Sequence, residues 1–137
     1  MSLALTLLAT LSASAAPPAM PERGFVFHLS EGPDDPHDVI HPLVRASSVS
    51  KAGYGVLVYL DVDAAPLAFA GAESVVFKDH DSTQLLKDVI AQGGRVAVCS
   101  QCMAAHDKKP GDLLAGAVVS TPELFFTVGD KTVTFDY

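Results

Sequence analysis

Positive charge is scarce in this sequence: nine lysines and arginines stand against sixteen aspartates and glutamates over 137 residues, a formal charge of -7. The largest basic cluster is the pair Lys108-Lys109. A surface of that sign repels phosphate backbones, which excludes nucleic acid as a natural partner. The sequence also has no Gly-rich phosphate loop, no GxSxG elbow and no paired-carboxylate motif, so nothing specific supports a nucleotide enzyme or a hydrolase. Internal repeats, low-complexity tracts and linkers are missing as well. The apolar run Leu3 to Leu11 is too short to span a bilayer, which takes about 20 residues. Cysteine occurs only twice, at Cys99 and Cys102.

What is present suits one globular domain: 49% of residues are hydrophobic and 18% charged, in a chain of single-domain length. The first sixteen residues read as a signal peptide. Their short apolar run is followed by Ala13-Ser14-Ala15, a small-x-small cleavage pattern, and Pro17-Pro18 cuts the segment off from the rest of the chain. The expected organisation is a leader at 1–16 and a single domain at 17–137, exported to a periplasm. The leader holds no ionisable side chain, so cleavage leaves the charge unchanged, and no membrane span is expected afterwards. In that oxidising compartment two cysteines suit a disulfide, a redox dithiol, a metal site or a sulfur carrier.

Beyond the leader, short β-rich runs alternate with longer helical ones, the pattern of an α/β domain with a mainly parallel sheet. Residues 24–29 read as the first strand and 42–51 as a helix with Pro42 in its first turn. The near-continuous apolar run 54–60 reads as a central strand covered on both faces. Ser82 is the expected N-cap of a helix over 83–92, where Leu85, Leu86, Val89 and Ile90 recur at helical spacing before Gly93-Gly94. A buried strand at 95–98 runs directly into Cys99, a short strand is expected at 117–119, and Thr121-Pro122 opens a brief helix. Lys131 to Tyr137 alternates as an edge strand closing onto the sheet or a neighbouring subunit.

Ligands of open α/β sheets bind beyond the carboxyl ends of the strands, and Cys99 falls at such an end. A thiol at a strand-to-helix junction meets free backbone N–H groups that favour its thiolate. Cys102, about one helical turn further on, is placed to resolve a mixed disulfide or share a soft metal. His106 and Lys108 are candidate supporting cations, and Asp61 and Asp63 stand at the end of the central strand, where they could shape the site or hold a cation. Met103 adds a thioether suited to Cu(I), although consecutive residues rarely point the same way. His37 and His41 are four apart, but Pro42 disfavours the helical conformation at His41, so a continuous helix carrying both imidazoles on one face is not expected.

The run from Leu85 to Ala105, continued by residues 112–117 and Ser120-Thr121-Pro122-Glu123, resembles the DsrE/DsrF-like (DsrE/YchN-like) family. His41-Pro42-Leu43-Val44 and the segment 58–64 carry the resemblance back across the whole mature chain, and the CxxC resembles the YchN-like branch. The resemblance implies a flavodoxin-like, three-layer α/β/α fold with a mainly parallel sheet of about five strands. It further implies homo- or hetero-oligomers of two, three or six chains, with a homo-oligomer expected here, and persulfide relay between protein cysteines, with Cys99 in the relay position. Three functions are alternatives: a periplasmic sulfur carrier that exchanges sulfur with a donor or acceptor protein and requires no cofactor, a Cu(I)- or Zn(II)-binding module, and a thiol–disulfide oxidoreductase. The first leads; it is transfer in the manner of a sulfurtransferase, without classical turnover of a small substrate.

Overall fold

A computed structural model describes residues 21–137, so the expected leader at 1–16 lies outside the described residues. Strand β1 (Arg23–Leu29) leads through Asp35 to helix α1 (Pro36–Lys51). Strand β2 (Gly55–Leu60) comes next, then a 3-10 segment over Val62–Ala68 and a small antiparallel hairpin of β3 (Val76–Phe77) and β4 (His80–Asp81). Helix α2 (Ser82–Ala91) returns the chain to β5 (Arg95–Val98), which passes into α3 (Ser100–Ala105). The chain ends with β6 (Val118–Val119), α4 (Pro122–Phe126) and β7 (Lys131–Asp136). No helix among the described residues is long and apolar enough to cross a membrane.

The main sheet has five strands in the order β6-β5-β2-β1-β7, all parallel, with β2 in the middle. This is the expected flavodoxin-like α/β architecture. From β1 the chain moves across the sheet in one direction to β2, β5 and β6, then returns to place β7 on the far side of β1. Because parallel crossovers are right-handed, reversing direction moves the connecting helix to the opposite face. Helices α1 and α2 therefore cover one face, and α4 covers the other.

The two faces differ in thickness. The α1/α2 face holds the larger core, including Phe27, Leu29, Val58, Leu60, Leu86, Val96 and Val98. The α4 face holds Val26, Leu57, Ala97 and Val128, with Leu124 and Phe125 packed against them. The return crossing runs directly over the neighbouring residues Gly24 and Gly55. A Cβ at either would strike the Val128 backbone, so the crossing depends on the absence of side chains there.

Two local differences from the sequence expectation have physical causes. Helix α1 starts at Pro36, six residues before the expected position, with the Asp35 carboxylate accepting the Asp38 N–H at its N-terminus. Pro42 lies inside it, where it costs a hydrogen bond. Burial of Val39, Ile40, Leu43 and Ala46 against the sheet outweighs that cost. The helix is thus continuous through His41, and the His37 and His41 rings stack 5.4 Å apart, contrary to the expectation from Pro42. At α2 the N-cap is Asp81, whose carboxylate accepts the Gln84 N–H at 2.8 Å. Ser82 instead turns inward, fully buried, and accepts the Val75 N–H at 2.9 Å.

Candidate functional site

Strand alternation builds the site. Along β5 the side chains of Val96 and Val98 enter the α1/α2 core, so Ala97 and Cys99 fall on the α4 side. Tyr59 of β2 is in register with Ala97, His28 of β1 with Tyr59, and Asp136 of β7 with His28. Asp136, His28, Tyr59 and Cys99 consequently form a polar row along the carboxyl ends of four strands, on the thinly covered face.

Cys99 terminates β5 and caps α3, with its Sγ accepting the Cys102 N–H at 3.3 Å. Burial alone would push this thiol up. Hydrogen bonds from the Cys102 thiol and backbone, from Tyr59 and from the Gln101 backbone outweigh that and hold it below the ordinary cysteine range. Cys102 moves the other way: burial, donation of its S–H to Cys99 and the nearby Asp61 carboxylate push it up. Of the two thiols Cys99 is therefore the more readily ionised, and ionisation is what makes a thiol the nucleophile. Both sulfurs are free thiols and partly exposed.

Burial and the charge on Cys99 push the Tyr59 phenol up to about 12, so it remains a hydrogen-bond donor wherever the thiols titrate. Its ring is braced edge-on by Phe125 at 5.2 Å, and its hydroxyl also meets Ser120. Val62 holds φ +43, a left-handed conformation that costs a β-branched residue of order 1–3 kcal/mol. In that conformation its N–H donates to the Cys102 Sγ at 3.3 Å.

His28 stands between two carboxylates, with Nε2 2.9 Å from Asp61 and Nδ1 2.8 Å from Asp136. Ser30 donates its hydroxyl to the other Asp61 oxygen at 2.7 Å. Burial pulls the imidazole down, but the bonds to Asp61 and Asp136 and their charges prevail, leaving it above the ordinary histidine range. The His28 ring lies 5.2 Å from that of Tyr59, so this polar group adjoins the thiol group.

The residues singled out in the sequence separate on folding. Cys99, Cys102 and Asp61 come together. Asp63 and His106 line a different cavity of about 350 Å³, with Glu31, Gly32, Pro33, Asp34 and Pro66. The His106 ring and the Lys108 ammonium both pack on Phe69. Met103 is buried in the larger core. Among the described residues no group of three or more His, Cys, Asp or Glu side chains is disposed to hold a metal ion. Tyr59, His28, Ser30, Asp136 and Ser120 were not singled out. Phase was the available signal: His28 interrupts an apolar strand, and Tyr59 is two residues from Asp61, hence on the same face of its strand.

No protein-family model and no curated protein matches the chain. Solved structures do match its fold. The ychN protein from E. coli superposes with a TM-score of 0.67 at 19% identity, over 82% of this chain and 99% of that one. A protein of unknown function from Methanobacterium thermoautotrophicum, MTH1491, superposes with a TM-score of 0.56 at 24% identity, over 82% of this chain and 98% of its own.

Proposed function

From the DsrE/YchN-like fold and the thiol pair at its carboxyl edge, we propose that this chain is an exported sulfur carrier of the DsrE/DsrF-like kind, with Cys99 as the acceptor of sulfane sulfur. The observation that carries the reading is the placement of the pair: Cys99 ends β5 with its Sγ accepting the Cys102 N–H at 3.3 Å, where converging donors favour its thiolate over that of Cys102. The Cys99 thiolate attacks the outer sulfur of a persulfide R–S–SH. A new S–S bond forms at Cys99, the bond to R–S breaks, and R–S⁻ leaves with the electron pair, so charge and oxidation level balance. Discharge is the same exchange in reverse onto an acceptor thiol. Alternatively, Cys102 attacks the Cys99 sulfur, closing a disulfide and releasing hydrosulfide.

Export to the periplasm, assembly into a homo-oligomer and exchange with a donor or acceptor protein complete this reading. The transfer consumes no cofactor. Intact-mass spectrometry of the reduced protein after incubation with polysulfide tests it. Cys102→Ser should gain the mass of one sulfur atom, reversibly by thiol reductant; the wild-type chain should gain the same mass or, where Cys102 closes the disulfide, lose two hydrogens; and Cys99→Ser should do neither. A Cys99→Ser protein that gains sulfur as readily as the wild type rejects Cys99 as the acceptor.

A further inference from the structure

A cavity of about 480 Å³ borders the thiol site on the α4 face, lined by Ser100, Ser120, Thr121, Pro122, Phe125 and Phe126. Ser100 is next to Cys99 in the chain, Ser120 reaches the Tyr59 hydroxyl, and Phe125 packs on the Tyr59 ring, so the cavity shares its wall with the surroundings of the nucleophile. It is a shallow hollow, open to solvent, with a volume within the usual range for small-molecule sites, about 300–1,000 Å³. Phe126 is 78% exposed, an unusual position for so large an apolar side chain.

Charge restricts what could sit there. The lining offers hydroxyls and two phenyl rings, but no lysine or arginine. Negative charge lies at the end of the lining nearest the thiols, where Glu123 bonds the Thr121 side chain and the Asp61 carboxylate acts on Tyr59, while the nearby Arg95 guanidinium is engaged by the Leu124 carbonyl and the Thr127 hydroxyl. An inorganic sulfur anion such as thiosulfate would approach Cys99 against this field without a cation to receive it. An aromatic or aliphatic group without charge would instead cover Phe126 and lose little hydration.

We propose that the cavity between the β5–α3 junction and α4 receives the organic part of an uncharged, apolar thiol or persulfide, which makes Cys99 selective for such compounds over anionic sulfur donors. The substrate class builds on the sulfur-carrier reading, but the cavity's preference can be measured without any sulfur transfer. The full chain, reduced, is alkylated with N-benzyliodoacetamide and with iodoacetate, and modification of Cys99 is tracked by peptide mass mapping. Each rate is divided by that of N-acetylcysteine at the same thiolate fraction.

The normalised benzyl-to-acetate rate ratio should exceed unity by about tenfold, the scale of partly burying one aromatic ring. Phe126→Ala should cut that ratio by removing the exposed ring, and Thr121→Lys should cut it by accelerating iodoacetate. A normalised ratio within twofold of unity, or a ratio unmoved by both substitutions, overturns the proposal. A high ratio in a protein that takes up no sulfur from an uncharged organic persulfide such as benzyl persulfide would reject the carrier function while leaving the cavity's selectivity standing.

Discussion

On one face of the sheet, Val58, Leu60, Val96 and Val98 are sealed beneath α1 and α2; on the other, the alternate residues of the same strands lie beneath a helix of five residues. The first face is a continuous apolar core. The second is apolar at Val26, Leu57 and Ala97, and turns polar at His28 and Tyr59, level with Ala97, and at Cys99 beyond it. The contrast shows how one sheet meets two incompatible demands. Stability needs area removed from water, whereas a reactive thiolate needs hydrogen-bond donors and an approach from solvent. The reversal of strand order separates them, since the return crossing brings α4 alone to the second face.

Substitutions that strike one face and spare the other can break this comparison. The largest effect belongs to the covered face: Leu86→Ala, at a fully buried position, should cost about 3 kcal/mol through lost burial and the cavity left behind. Urea unfolding measures it, and a loss below about 1 kcal/mol would mean that the α1/α2 face is not the stabilising one. Cys99 reactivity per folded molecule should hardly change.

The opposite pattern is expected at Tyr59. Tyr59→Phe keeps the ring against Phe125 but removes a donor to the Cys99 thiolate, so the thiol should titrate at higher pH. Allowing for partial exposure, the lost charged hydrogen bond is worth about 1 kcal/mol, and alkylation at neutral pH should slow about fivefold. A pH–rate profile that superimposes on the wild-type profile would show that Tyr59 does not stabilise the thiolate.

The smallest effect is at His28. Its folded-state pKa is raised, so the stability it contributes is fully present below the ordinary value of 6.5 and is lost as pH rises through the folded value. The wild-type advantage over His28→Gln in urea midpoint should therefore shrink from mildly acidic to alkaline pH. Its size should be that of a partly exposed ion pair, under about 1 kcal/mol. An advantage that grows with pH would mean that the imidazole is held neutral rather than cationic between Asp61 and Asp136.

Much of the scaffold was legible because it depends on local rules. The helical spacing of Leu85, Leu86, Val89 and Ile90, and the apolar run of β2 leading to the sheet's centre, express periodicities that single segments carry. Helix α1 was foreshortened because Pro42 has a local cost, whereas the burial of Val39, Ile40 and Leu43 that offsets it is a tertiary gain. At the site, Cys99, Cys102 and Asp61 stood out as chemistry at strand ends. His28 and Asp136 did not, because they meet across β1 and β7, 108 residues apart.

The order of elements, the strand–CxxC–helix junction and the acidic balance were determined by sequence, since each rests on residue type and near-neighbour spacing. Tertiary structure alone decided which residues share the row with Cys99, that His106 and Lys108 turn to Phe69, and which face remains thinly covered. The reason is physical: register and crossover direction are set by packing between distant segments, and an alternating strand names two faces without specifying what will lie over either.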